Sequence, residues 1–116
     1  MTSSAKPARE YVYHGPINEE KLREKLTYYA YRDKTQMEKD AWFPGNIFNI
    51  KLDDEVLGEA QVILVEAQKV EDLTVYDALL TGFQTLEELK DAIVQWFRFK
   101  GSVDKQGFFK ILYRWL

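Results

Sequence analysis

The sequence predicts an α+β domain, a small curved sheet or β-barrel of about five strands with flanking helices. The clearest sign is the end of the chain. Over 108–115, Phe109, Ile111, Tyr113 and Trp115 alternate with polar positions that include Lys110 and Arg114, the period of a half-buried strand. Further back, 57–67 is a long turn-bounded run rich in apolar residues, preceded by a second alternating stretch at Phe48, Ile50 and Leu52. Helical patterns lie between these strands without the regular βαβ repeat of a parallel doubly wound sheet. At 116 residues the chain is sized for one core.

Residues 1–9 are small and polar and are expected to form a disordered tail, leaving 10–116 as a single domain. Tyr11-Val12-Tyr13 is a strand candidate ended by Gly15-Pro16. Asn18 can then cap a helix with Glu19 and Glu20 in its first turn, which suits the positive end of the helix dipole. Ile17, Leu22, Leu26 and Tyr29 fall near one helical face and carry that helix to about Tyr29 or Ala30. Thr35, Met37 and Lys39 alternate with Gln36 and Glu38, so this segment is expected to be extended. Pro44-Gly45 marks a turn into a strand over 47–52, and Asp53-Asp54-Glu55 a turn out of it. Val62-Ile63-Leu64-Val65 reads as part of a central strand covered on both sides. A short helix over 73–80 follows. Thr85 opens the clearest helix, striped by Leu86, Leu89, Ile93 and Trp96 or Phe97 and ended by Gly101-Ser102.

Composition excludes some chemistry. The chain has no cysteine, so disulfides, thiolate catalysis and zinc-thiolate sites are out, and one histidine, His14, cannot make a histidine cluster. His14 reads as a surface residue before a turn. No cofactor or metal is expected. No apolar stretch has transmembrane length and the start lacks a signal-peptide core, so the expectation is a soluble cytoplasmic protein without a membrane partner. The net charge of −3 is unevenly spread: 1–52 carry +2, 53–91 carry −9 and 92–116 carry +4. A nucleic-acid binder needs a local basic surface, which the two outer thirds can supply if they meet. The acidic middle is a solvated face or a surface for a protein partner.

Several short motifs occur in a telling order. Arg32-Asp33-Lys34-Thr35-Gln36-Met37-Glu38-Lys39 leads into Pro44-Gly45-Asn46-Ile47-Phe48. Then come Leu57-Gly58-Glu59-Ala60-Gln61-Val62 and Gly82-Phe83-Gln84-Thr85-Leu86-Glu87-Glu88-Leu89. This order, over roughly 26–116, resembles the ASCH family of the PUA-like superfamily, small domains associated with RNA. The resemblance implies a PUA-like barrel and an RNA partner. It also implies a comparison with a bacterial amidohydrolase branch that removes acetyl from acetylcytidine. There Lys34 matches the catalytic lysine and Glu88 the catalytic glutamate, but the nucleophile position is Met37, whose thioether cannot attack a carbonyl. Thr35 is the nearby hydroxyl available as a substitute. If the chain is an enzyme, Lys34, Glu88 and Thr35 are its candidates; the missing hydroxyl favours a binding module with no catalytic residue.

For binding, Arg32, Lys34, Thr35 and Lys39 are candidates to hold phosphate, with Tyr31 or Trp42 stacking on a base. Tyr28, Tyr29, Trp96 and Phe99 also invite a stacking reading, whereas Phe48, Phe83, Phe97 and Phe109 are expected in the core. Arg98, Lys100, Lys105, Lys110 and Arg114 form a second basic set, and Lys110 and Arg114 share the polar side of the last strand. Thr85 and Glu88 also spell a capping box, which accounts for Glu88 without catalysis. Three readings stay open: an RNA or modified-nucleoside binder, an amidohydrolase or ribonuclease of the same fold, and a protein-interaction adaptor working through 53–91.

Overall fold

The computed structural model describes residues 9–99 and 103–116. In chain order the elements are β1 (Arg9–Tyr13), α1 (Glu19–Arg23), β2 (Tyr29–Asp33), α2 (Lys34–Lys39), β3 (Ile47–Leu52) and β4 (Glu55–Lys69). A 3-10 turn (Val70–Asp72), α3 (Val75–Thr81), α4 (Leu86–Phe97) and β5 (Gly107–Trp115) complete them. The five strands form one sheet in the order β1-β3-β4-β5-β2, parallel only between β1 and β3. The predicted α+β class and curved sheet are what the chain adopts.

The sheet curls until its two end strands face each other, and side chains rather than a ladder close the gap. Tyr13 Oη donates to the Tyr29 carbonyl at 2.8 Å, and the Tyr31 amide donates to Tyr11 Oη at 3.1 Å. With the Tyr13 proton committed, Tyr113 donates to Tyr13 at 3.1 Å and Thr27 to Tyr113 at 2.7 Å, a relay of hydroxyls through the interior. Tyr13, Leu22, Trp42, Phe48, Ile50, Val62, Ile111 and Tyr113 fill that side. The other side of β2 and β5 packs Tyr31 and Phe108 against Leu73, Ala78, Phe83, Leu89 and Ile93 of the helical segment.

Three elements differ from expectation. The first helix is short: Asn18 caps it as predicted, with the Lys21 amide donating to its Oδ1 at 3.1 Å, but it ends at Arg23 and Lys25 turns left-handed with φ 61°. The following Tyr29–Asp33 is a strand because its aromatic residues fit a pleated surface and β5 offers a full antiparallel ladder. Lys34–Lys39 is a helix, not an extended segment. Asp33 Oδ1 accepts from the Gln36 amide at 2.8 Å and Gln36 Oε1 accepts from the Asp33 amide at 2.9 Å, a complete capping box. Finally, β4 is central in order but is not covered throughout: its register slips between Val62 and Leu64, and Ile63 and Leu64 are each 45% exposed.

The other expectations hold closely. β3 spans the predicted 47–52, the hairpin turn falls at Asp53 with φ 51°, and α4 begins after Thr85 with Leu89 and Ile93 buried. α4 ends at Phe97, with Arg98 left-handed at its C-terminus, before Gly101-Ser102, which lie outside the described residues. Arg9 belongs to β1 rather than to a tail and lies 3.6 Å from Asp40, while 1–8 lie outside the described residues.

Candidate functional site

The predicted site residues do not converge. Tyr31 and Trp42 are each 1% exposed, so neither ring is open to a base. Tyr31 stacks on Trp96 and sends its hydroxyl to Thr81 Oγ1 at 2.7 Å. Trp42 packs on Phe48 and donates its Nε1 to Asp40 Oδ2 at 3.1 Å. Arg32 is committed internally: Nη2 donates to the carbonyls of Gln36 at 2.7 Å and Asp40 at 3.1 Å, and its guanidinium lies 4.8 Å from the Trp42 ring centre. Burial lowers its pKa from the ordinary arginine value, with the nearby Asp40 carboxylate opposing that shift.

Lys110 is the clearest correction. It does share a strand face with Arg114, but α3 covers that face at Lys110. Its ammonium is buried, 2.7 Å from Asp77 Oδ1 and 4.6 Å from the Tyr29 ring centre. Asp77 spends its other oxygen on the Thr74 amide at 2.8 Å, capping α3. Arg114 is exposed further along β5 and donates Nε and Nη2 to Gln61 Oε1 at 3.0 and 2.8 Å. Of the second basic set, Lys105 pairs with Glu71 at 3.2 Å, Arg98 is exposed at the end of α4, and Lys100 lies outside the described residues.

Lys34 and Thr35 do line a cleft, at the start of α2. A hollow of about 650 Å³ opens there between Asp33-Lys34-Thr35, the Gln68-Lys69 end of β4 and the Phe97-x-Phe99 end of α4. Phe108 and Phe109 complete its wall. Phe97 and Phe99 sit 5.5 Å apart, centre to centre, and are half-buried, as is Phe109. Phe97 and Phe99 border the core as well as this cleft, whereas Phe109, expected in the core, is a wall of the cleft instead. Two lysines and two aspartates rim it, so it is charge-balanced rather than strongly basic. Phe99, a stacking candidate from the sequence, stands at this cleft. Gln68 and Lys69 escape the sequence reading, which places Phe97 and Phe109 only in the core.

Glu88 is elsewhere. Its Oε1 accepts from the Thr85 amide at 3.0 Å, the Gln84 amide at 3.2 Å and the Thr85 hydroxyl at 3.2 Å, and Thr85 Oγ1 accepts from the Glu88 amide at 3.2 Å. It borders a separate hollow of about 600 Å³ between Ile17-Asn18-Glu19 and the start of α4. The lysine and glutamate of the amidohydrolase comparison thus occupy different openings. Lys39 is exposed at the far end of α2, away from the cleft lining. Since 34–39 is helical, Thr35 and Met37 do not share a strand face either.

A third opening, about 220 Å³, lies in the gap between β1 and β2, lined by Tyr11, Tyr13, Tyr31, Arg32 and Trp96. The tyrosine bridges across that gap keep it narrow.

A curled five-stranded sheet with helices packed on its outer side is the architecture of an ASCH domain. An ASCH domain from Lactobacillus crispatus JV V101 superposes with a TM-score of 0.68 at 9% identity, covering 92% of this chain and 79% of that one. Protein EF3133 from Enterococcus faecalis V583, described under the family model DUF984, superposes with a TM-score of 0.68 at 12% identity over 93% and 76% of the two chains. No family model and no curated protein matches the sequence. The fold is therefore that of the family which the order of motifs resembles. At these identities the likeness is one of fold.

Proposed function

We propose that this chain is an RNA-binding module that takes an unstacked base, or a modified nucleoside, into the cleft beside Lys34 and Thr35. The observation that carries the reading is the composition of that cleft: half-buried phenylalanine rings next to two ammonium groups and the Gln68 amide. Single-stranded RNA is recognised by stacking bases on aromatic faces and bonding their edges, with cations holding the backbone. The balanced rim implies modest affinity in which stacking outweighs phosphate attraction. An RNA association of the ASCH fold supports the same reading.

Anisotropy titrations of short single-stranded RNAs at low and moderate salt test it. Phe99→Ala should cost about 1–3 kcal/mol of binding, the worth of one stacked base. Lys34→Ala should weaken binding across sequences and reduce the salt slope by about one. Absence of RNA binding at low salt, or full binding by the Phe99→Ala protein, overturns the proposal. With Lys34 and Glu88 in separate openings, acetylcytidine should not turn over. Chromatographic detection of deacetylation that Lys34→Ala abolishes would make the chain an enzyme instead.

A further inference from the structure

The cleft beside Lys34 holds hydrogen-bond acceptors that have no donor among the described residues. Gln68 lies in its wall, and Gln68 Oε1 is enclosed there without a partner. Buried polar atoms are nearly always paired, so an orphan acceptor beside an opening points to a donor that arrives from outside. The terminal torsion of a glutamine is soft, and a small turn of the amide brings Oε1 to such a donor. A second acceptor comes from Asp33, half-buried in the same lining. Its Oδ1 accepts from the Gln36 amide at 2.8 Å, and its other oxygen accepts no hydrogen bond among the described residues.

Strand register brings the two acceptors onto one surface. Asp33 and Gln68 are both cross-strand partners of Phe108, so the three side chains stand in one row on one face of β2, β5 and β4. Phe108 is buried in the middle of the row, and the Phe97 ring packs on it with centres 6.2 Å apart. Asp33 and Gln68 are separated by two strand spacings of about 4.8 Å each, a gap that their side chains can close onto one base edge. A base stacked at Phe97 and Phe99 lies beside that row.

Two acceptors call for two neighbouring donors. Among the four bases guanine alone sets two side by side, N1–H and the N2 amino group, while adenine, cytosine and uracil each place an acceptor next to their donor. An acceptor turned toward the Asp33 carboxylate is repelled. The ammonium groups of Lys34 and Lys69, at the rim, are left for guanine O6 or for phosphate.

We propose that the cleft selects guanine, with Gln68 Oε1 and the free Asp33 oxygen accepting from its N1–H and N2 amino group. The proposal rests on the RNA-binding reading of the cleft and names the base that it takes.

The test titrates the whole chain at low salt with oligouridines that carry one central guanosine, inosine, adenosine or cytidine. The guanosine oligomer should bind about fivefold tighter or more than each of the others, inosine included because it lacks the N2 amino group. Gln68→Leu should remove that advantage and leave the affinity for the adenosine oligomer unchanged. Asp33→Asn keeps an N-cap acceptor for α2 but exchanges the free oxygen for a donor, and it should remove the advantage as well. Phe99→Ala should instead weaken all four oligomers together. Equal binding of the four, a preference for another base, or a guanosine preference that survives both Gln68→Leu and Asp33→Asn overturns the proposal. In those cases binding that still falls in the Phe99→Ala protein leaves the RNA reading standing. Absence of binding by every oligomer overturns both.

Discussion

Lys110 shows how alternation along a strand misleads when a helix covers one face. The residue occupies the polar side of β5 by period, yet it is buried against Asp77 and the Tyr29 ring. Desolvating both charges is costly, and what makes the pair tolerable is its short bond together with the use of the second Asp77 oxygen at the α3 cap. Lys110→Ala would leave the aspartate buried and unpaired. It should lower unfolding free energy by about 3–5 kcal/mol in urea titrations, while the paired replacement Lys110→Met, Asp77→Leu should recover a substantial part. A cost near that of a surface pair, below about 1 kcal/mol, would mean that water reaches the site. RNA binding should follow only the loss of folded protein.

At the scale of elements, local signals succeeded where the chain's neighbours agreed with them. The Asn18 and Thr85 caps, the Gly and Asp turns and the stripe of α4 were all legible. Helix α2 was also written in the sequence, as Asp33 followed three residues later by Gln36, but the alternation of Thr35, Met37 and Lys39 hid it. β2 was less legible, since its Tyr29-Ala30-Tyr31 stretch continues a helical pattern and becomes a strand by pairing with β5. The same two misreadings displaced the expected site. Tyr31 and Trp42 sit among charged residues in sequence, yet both rings are buried, and Asp40 accepts the Trp42 Nε1 proton rather than marking an open surface. The caps themselves are testable: Thr85→Ala should cost about 0.5–2 kcal/mol, seen as a lower melting temperature. Glu88→Gln, which keeps an acceptor for the Thr85 amide, should cost less than Glu88→Ala.

For the whole molecule, the tyrosines of the interior set a pH limit. Burial pushes the Tyr11 hydroxyl up to about 12, with the Tyr31 amide and Arg32 opposing, and raises Tyr13 well above its ordinary value through burial and neighbouring Tyr113. An unfolded tyrosine titrates near 10. The folded state therefore holds these protons more tightly, and the resulting stability is complete below about pH 10 and is lost as pH rises toward 12 and beyond. Melting temperature should be level up to about pH 9 and fall above about pH 10. A flat profile to about pH 12 would mean that the hydroxyls ionise in place. The overall sheet was legible because strand periods and turns are local. Its closure was not, because Tyr13, Tyr29 and Tyr113 meet only once strands distant in sequence are assembled.

That closure also sets an order of events. β1 has one ladder, to β3, and reaches β2 through tyrosine hydroxyls, so its docking needs β3, β4, β5 and β2 already in place. It should be the last strand to join during folding and the first to leave. Tyr13→Phe should then speed unfolding and leave the refolding rate nearly unchanged in stopped-flow chevrons, a φ-value near zero. A slowed refolding arm would instead place the seam in the nucleus. Amide exchange should follow the same order, with β1 exchanging before β4 and β5, so that the end strand of the barrel serves as its first point of opening.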